Sequence, residues 1–404
     1  MEEELMHFAF VIDDYLPDST RVGSKMLHEL ALEFINLGHK VTVITPNVNS
    51  KAAKLEVSEL DGVNIWRFAN GPVKDVAKIK RAINETLMSF NAWRTISSKV
   101  EKNTFDGVVY YSPSIFFGSF VNKIKKKCQC KSYLILRDLF PQWAIDAKMI
   151  TEKSLITRYF RFFESLSYNA ADSIGLMSKK NHQLFNTLHP QLKNTHVLFN
   201  WAAATPFGDQ FVYESIRARL NLNDKVIFFY GGNIGHAQDM KNLLNLARGL
   251  KGFPKAHFLF IGQGDEVELI ENLSKDWSLE NVTILPSISQ SEFKQVLSEV
   301  DVGLFSLAKH HTAHNFPGKI LGYMVESLPI LGSVNPNNDL QEIINAAEAG
   351  SVFINGEDEK LLCEAKKLLD DAQHRKQQGK AAYNLLKNVF SVEAATKLIL
   401  KNLT

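Results

Sequence analysis

Short apolar runs alternate with amphipathic stretches along this chain, in two successive series. The first series is Phe8–Asp13, Lys40–Pro46, Val63–Phe68, Gly107–Ser112, Ser132–Asp138 and Ser173–Ser178. The second is Val226–Gly232, His257–Gly264, Val282–Pro286, Val302–Leu307, Pro329–Ser333 and Ser351–Ile354. Each run has the length of a strand and ends in a loop. Helical spacing fits between the runs, most clearly over residues 20–37, 241–250 and 291–300. Strands alternating with helices are the pattern of parallel α/β domains. Two series predict two such domains, as does a length of 404 residues, more than one domain usually holds. The predicted boundaries are 1–200, 201–384 and a last helix at 385–404 that packs back on the first domain. Gly38 follows the first helix, where a left-handed cap favours glycine. The stretch Phe199–Asp224, with Pro206 and Gly208, reads as the crossing between the domains.

Composition narrows the function. A chain with 45% hydrophobic and 22% charged residues has the makeup of soluble proteins. No stretch approaches the roughly 18 apolar residues of a membrane-spanning helix. The start, MEEELMHFAFVIDDY, puts acids before the apolar run and lacks the basic leader of a secretion signal. Three cysteines, Cys128, Cys130 and Cys363, suit a reducing compartment, and no second pair completes a zinc site with Cys128 and Cys130. Residues 1–200 hold 26 basic and 20 acidic side chains, and residues 201–404 hold 20 and 24. That bias is too weak for a dedicated nucleic-acid binder. It suits a first half that touches an anionic membrane, and so a cytoplasmic protein at the inner face of the cell membrane. Two stretches interleave basic and aromatic residues, Lys74–Trp93 and Arg158–Phe163. They suit either a membrane-surface helix or a helix on its own core.

Three motifs carry the chemistry. Gly231-Gly232-Asn233-Ile234-Gly235 joins a buried run to a helix. Glycines there let a ligand approach the backbone, and the next helix offers free N–H groups to a phosphate; a tight turn would need the same residues. Gly262 and Gly264 end the following run, just before Asp265, and either open a slot for a planar base or make a plain turn. The spacing is not GxGxxG, because Val267 stands three after Gly264, which argues against a dinucleotide oxidoreductase. In the third motif Pro317-Gly318 leads to Lys319 in the first turn of a helix. A cation at that positive end is unfavourable unless an anion such as a diphosphate sits there, or unless the lysine is simply solvated. Asp138 closes a predicted strand, at the edge where parallel sheets bind ligands; the alternative is a helix cap. Asp13 and Asp14 follow the first strand in the same way. His310, His311 and His314 have a metal-like spacing, but the loop at Pro317 interrupts any helix through them, so no metal is expected.

The order of GGNIG, IGQGD, VGLFSL and PGKILGYM followed by PIL resembles family 4 glycosyltransferases, and the resemblance covers nearly the whole chain. Residues 29–46 look like their first helix and second strand, and residues 197–207 like the segment entering their second domain. LRDLFPQW (136–143), NWA (200–202) and HNFPGK (314–319) are most similar to bacterial fucosaminyltransferases of O-antigen, lipopolysaccharide and capsule assembly. The resemblance implies an α/β GT-B fold, two Rossmann-like domains with parallel sheets facing across a cleft. It implies a UDP-sugar donor, a polyprenyl-diphosphate-linked sugar acceptor, retention of configuration and no cofactor or metal. Asp138, Lys319 and His314 are the expected catalytic residues. Gly231, Gly232, Asn233, Gln238, Gly262, Gly264, Asp265, Asn315, Pro317 and Gly318 would contact the donor, and Arg21, Gly23 and Arg137 the acceptor.

The chain departs from the family in three places. Many members carry two glutamates seven residues apart; by position these fall on His314 and Gly322. An Arg and a Lys usual after the Gly231-Gly232 strand are replaced by Asn233 and Gln238. A Gly-Gly pair near the first helix is Arg21-Val22, followed by Gly23. Two rivals stay open, and the missing glutamates sustain the second. A nucleotide-sugar epimerase of the same fold would turn over donor without an acceptor. A non-catalytic glycosyltransferase-like subunit would bind donor without transfer.

Overall fold

A computed structural model of the chain describes residues 5–19, 21–47, 55–73, 76–112, 114–208, 211–310 and 317–404, without the side chain of Lys78. His311, His314 and Asn315 lie outside the described residues. The chain divides into two units, one of Met1–Phe199 with Val392–Thr404, the other of Asn200–Ser391. Each is a Rossmann-like layer of parallel strands and helices.

The first unit runs β1 (His7–Val11), α1 (Val22–Asn36), β2 (Lys40–Asn47), β3 (Glu56–Leu60), β4 (Val63–Ala69), α2 (Lys78–Ile96), β5 (Gly107–Ser112) and α3 (Gly118–Cys128). It continues through β6 (Lys131–Leu136), α4 (Gln142–Asp146), α5 (Leu155–Ala170), β7 (Ser173–Leu176), α6 (Lys179–Leu188) and β8 (Thr195–Val197). The sheet order is β3-β4-β2-β1-β5-β6-β7-β8. Every neighbouring pair is parallel except β3 with β4. Central strands such as β5 are buried along their whole length, which is why they read as unbroken apolar runs. Helix α1 ends as its sequence indicates: Gly38 has φ +89, and the N–H of His39 returns to the Phe34 carbonyl at 3.0 Å.

The second unit runs α7 (Ile216–Arg219), β9 (Val226–Asn233), α8 (Met240–Gly249), β10 (Ala256–Gln263), α9 (Val267–Asp276), β11 (Val282–Leu285), α10 (Gln290–Glu299) and β12 (Val302–Ser306). Then come α11 (Lys319–Val325), β13 (Ile330–Val334), α12 (Asp339–Ala346), β14 (Gly350–Ile354), α13 (Asp358–Asp370) and α14 (Ala372–Leu385). The sheet order, β11-β10-β9-β12-β13-β14, is wholly parallel. Counted within the unit it reverses between its first and fourth strands, β9 and β12. Such a switch point, at the C-terminal strand ends, is where open α/β sheets take ligands. In the first unit the reversal falls between β1 and β5.

After a π-helical turn at Leu386–Phe390, α15 (Val392–Leu403) returns to the first unit. It is tied there by Lys131 Nζ, which donates to the Thr404 carbonyl at 2.9 Å, and by Ser173 Oγ on Asn402 Oδ1 at 3.2 Å. Residues 385–391 stay with the second unit.

Candidate functional site

In the second unit, glycines clear the C-terminal ends of β9 and β10. Gly232 has φ +117. A Cβ on Gly262 would stand 1.9 Å from the Gly232 carbonyl oxygen, and one on Gly264, at φ +155, would stand 2.1 Å from that of Ile234. Gly231 leaves room for the Phe293 ring, which a Cβ would meet at 2.4 Å. The sequence motifs therefore act partly on each other: the glycines of β10 let it lie against the loop that leaves β9. The Ile234 N–H donates to the Gln263 carbonyl at 2.9 Å, and the Glu266 N–H to the Ile234 carbonyl at 3.0 Å, locking that contact.

What remains at these strand ends is a cavity of about 280 Å³. Ile261, Ile288 and Phe293 give it apolar walls, Gln263, Ser287 and Gln290 give it polar edges, and Gly232, Asn233 and Gly262 line it too. A planar heterocycle with hydrogen-bonding edges suits such a lining. Gly264 lies beside this cavity and shapes the loop. Asn233 Nδ2 donates to Gln238 Oε1 at 2.9 Å, so these two predicted donor contacts form a pair of their own. Asp265 is exposed, 3.5 Å from His236, whose other ring nitrogen lies 2.6 Å from Glu266.

Lys319 opens α11, the helix that follows β12. Its ammonium sits 3.4 Å from the centre of the Tyr230 ring, and a Cβ on Gly232 would be 3.7 Å from Nζ. The Tyr230 hydroxyl is held by the Asn233 carbonyl, which fixes the ring. Burial pushes the Lys319 pKa well below its usual value. Among the described residues Lys319 has no acid or hydrogen-bond partner, so the ring face supplies its stabilisation. One part of the sequence reading changes here. Helix α11 has only seven residues, so its dipole contributes little. The Ile320 N–H is already bonded to the Pro317 carbonyl at 3.1 Å, and so is withdrawn from any ligand. Gly318 is exposed beside it.

In the first unit the strand ends carry side chains. Tyr111, on β5, packs its ring against Gly23, where a Cβ would meet the hydroxyl at 3.1 Å. Arg137 is buried and donates to the carbonyls of Leu198 and Phe199 at 2.6 and 3.3 Å. It also hydrogen-bonds Tyr111, whose phenol is pushed up chiefly by burial. Two of its nitrogens thus anchor the segment where the unit ends. Asp138 is two residues beyond the end of β6. Helix α4 starts at Gln142 behind Pro141 and has no side-chain cap, and no described residue donates to Asp138. Partial burial raises the Asp138 pKa, and Arg137 beside it acts the other way. Asp13 adds to the same field. Arg21 is exposed and lies 3.4 Å from Asp14.

Sequence reasoning missed Tyr230, Phe293, Gln263, Ser287, Ile288, Gln290 and Tyr111. Their signal is topological. Once β11, β10 and β9 are known to be parallel neighbours, the loop after β11 must open beside the glycines. Among the described residues no group of three or more His, Cys, Asp or Glu side chains could hold a metal, and no helix is long and apolar enough to cross a membrane. Cys128, Cys130 and Cys363 are free thiols.

Residues 212–385 match the family model for glycosyl transferases group 1. That match lies within the second unit and covers less than half of the chain. Two curated proteins named as glycosyltransferases are similar to the chain. WbjE of Pseudomonas aeruginosa is 23% identical over 54% of this chain and 55% of its own length, so the match spans about half of that relative. WcaI of Escherichia coli K12, named for colanic acid biosynthesis, is 22% identical over 72% of this chain and 74% of its own. Among solved structures, WaaG, a glycosyltransferase involved in lipopolysaccharide biosynthesis, aligns with a TM-score of 0.59 at 14% identity, over 97% of this chain and 99% of that one. Anabaena HepE in complex with UDP-glucose aligns with a TM-score of 0.61 at 14% identity, over 98% and 99%. The fold is thus GT-B, two Rossmann-like domains with parallel sheets. The glycosyltransferase class expected from the sequence is that of the matched family and of both relatives.

Proposed function

We propose that the chain is a retaining glycosyltransferase that moves a sugar from a UDP-sugar to a sugar on a polyprenyl diphosphate, in bacterial surface polysaccharide synthesis. One observation carries this reading: the desolvated, acid-free Lys319 ammonium beside a glycine-cleared, base-sized cavity. UDP would put its uracil between Ile261, Ile288 and Phe293, with Gln263, Ser287 and Gln290 at its polar edges. Its diphosphate would meet Lys319, Gly232 and the loop from Asn233. Binding of UDP-glucose by a structural neighbour and the names of the two relatives support it.

In the reaction the bond from the anomeric carbon to the diphosphate breaks and UDP leaves with the electron pair. An acceptor oxygen bonds to that carbon and passes its proton to an oxygen of the departing diphosphate. Lys319 would neutralise charge growing on the leaving group, a term that is strong where water is excluded. Asp138 would orient the acceptor hydroxyl or steady positive charge at the anomeric carbon. Arg21 and Gly23 fit an acceptor-side surface. Arg137, with two nitrogens on carbonyls, fits better as the brace that positions Asp138. No metal enters this scheme. The acceptor's lipid tail would bring the protein to the inner face of the cell membrane, against anionic lipid. The sugar reading most similar in motif is N-acetyl-L-fucosamine.

A thermal-shift screen of nucleotide sugars, followed by a transfer assay on lipid-linked acceptors, tests the proposal. UDP-sugars should raise the melting temperature, and product should form only with acceptor. Donor consumption without acceptor would identify an epimerase, and donor binding without transfer under any acceptor a non-catalytic subunit.

A further inference from the structure

Helix α2 has two opposite apolar faces. Met88, Ala92 and Ile96 are fully buried in the core of the first unit. Ile79, Ile83, Leu87 and Phe90 are 79, 54, 45 and 57% exposed. At about 100° per residue these four fall within roughly 80° of arc, on the side away from the core. A single exposed leucine needs no explanation, but an apolar ridge along a helix does. The ridge continues onto α5, whose Leu155 and Phe162 are 81 and 59% exposed. Thr86 and Tyr159 are hydrogen-bonded, which sets the two helices side by side. Met149, in the approach to α5, is also exposed.

The surroundings are basic. Helix α2 holds Lys78, Lys80, Arg81 and Arg94 against Glu85 alone, and residues 148–164 hold Lys148, Lys153, Arg158 and Arg161 against Glu152 and Glu164, the latter buried and paired with Arg161 at 3.0 Å. Arg81 pairs with Glu85 at 2.8 Å, and Arg94 stands over the exposed Phe90 ring at 5.9 Å. An apolar ridge flanked by basic side chains matches the boundary between anionic headgroups and acyl chains. A second copy docking through the same ridge would bring like charges together, because a two-fold interface faces a patch with itself.

We propose that this ridge, Ile79, Ile83, Leu87 and Phe90 with Leu155 and Phe162, inserts into the surface of an anionic bilayer while the flanking lysines and arginines hold the headgroups. It rests on the membrane partner proposed above and names the surface that meets it. Attachment is thereby two-part: a charge component that salt screens and an apolar component that salt leaves intact.

The test is co-sedimentation of the full chain with phosphatidylglycerol–phosphatidylcholine vesicles, at low and high salt, with UDP affinity and melting temperature measured on the same protein. Wild type should bind these vesicles and keep part of the binding at high salt. Ile79→Ser with Ile83→Ser and Phe90→Ser should lose roughly tenfold or more of it, with UDP affinity and melting temperature unchanged. As a second variant, Lys80→Gln with Arg81→Gln should weaken binding at low salt and leave the salt-resistant part. The inference is overturned if wild type ignores the vesicles, if the serine variant binds as wild type does, or if the ridge instead drives dimerisation that the serine variant abolishes. Vesicle binding without any UDP binding would keep the ridge and remove the transferase reading; UDP-dependent transfer without vesicle binding would do the opposite.

Discussion

The two sheets end in the same topological place and furnish it in opposite ways. At the ends of β9 and β10 the chain removes side chains: Gly231, Gly232, Gly262 and Gly264 leave backbone, and one cation, Lys319, stands over it. At the ends of β1, β5 and β6 the chain supplies side chains: Asp13, Tyr111, Arg137 and Asp138. Backbone cannot be changed by substitution, so a glycine-walled recess suits a ligand part that stays constant, such as a nucleoside diphosphate. A surface made of side chains can be retuned one residue at a time, which suits a variable acceptor. The burial of charge differs too. Lys319 is desolvated with only a ring for company, whereas Asp138 is desolvated beside a guanidinium.

This contrast breaks most sharply at Asp138. Asp138→Asn keeps shape and removes charge, so kcat should fall about 10²-fold or more, with UDP affinity unchanged. Burial raises the folded-state pKa of this carboxyl, which means its charged form is disfavoured on folding. Neutralising it should leave the melting temperature unchanged or slightly higher near neutral pH. A lower melting temperature with full activity would make Asp138 a structural residue. In wild type, activity should fall as pH drops through a pKa above the ordinary aspartate value.

Lys319→Ala should come next, losing a charge-assisted contact of about 1.5–3 kcal/mol in UDP binding, read by calorimetry, together with kcat. Because burial lowers the Lys319 pKa, the proton is lost at lower pH than in an ordinary lysine. UDP affinity should therefore decline on the alkaline side, and Lys319→Arg, which keeps its charge, should remove that decline. An unchanged alkaline profile in the arginine variant would take Lys319 out of the diphosphate site.

A smaller and different effect is expected from Gly264→Ala. Its φ of +155 and the Ile234 carbonyl 2.1 Å from the added Cβ should cost about 1–3 kcal/mol of stability, seen in denaturant melts, with donor affinity falling alongside. Stability and binding should move together in this unit, where the proposed site is backbone, and separately at Asp138. The smallest effect is expected from chelation: EDTA should leave transfer unchanged, and restoration by a divalent ion after loss would reverse the metal-free reading.

Much of the fold is legible in the residues. Buried parallel strands must be apolar on both faces, so runs such as Val226–Gly232 and Gly107–Ser112 announce themselves, and their boundaries agree with the strands to within two residues. The misses have the same physics in reverse. β3, EVSEL, is an exposed edge strand with no apolar face to show, and only the Asp61-Gly62 turn, at φ +52 and +82, marks its hairpin. β8 has three residues, too few for any period to appear.

The sequence by itself determined the two parallel domains, the glycine loops and the isolated lysine, because strand burial, positive φ and helix starts are local demands on residue type. Only the tertiary structure decided what those residues do. Lys319 meets Tyr230 across 89 positions because β12 pairs with β9. Gly262 is a glycine because the Gly232 carbonyl lies against it. Arg137, an acceptor contact by resemblance, is buried and donates to the Leu198 and Phe199 carbonyls. Pairings of this kind depend on strand order, and strand order is set by the packing of whole helices and sheets, which no short stretch of residues contains.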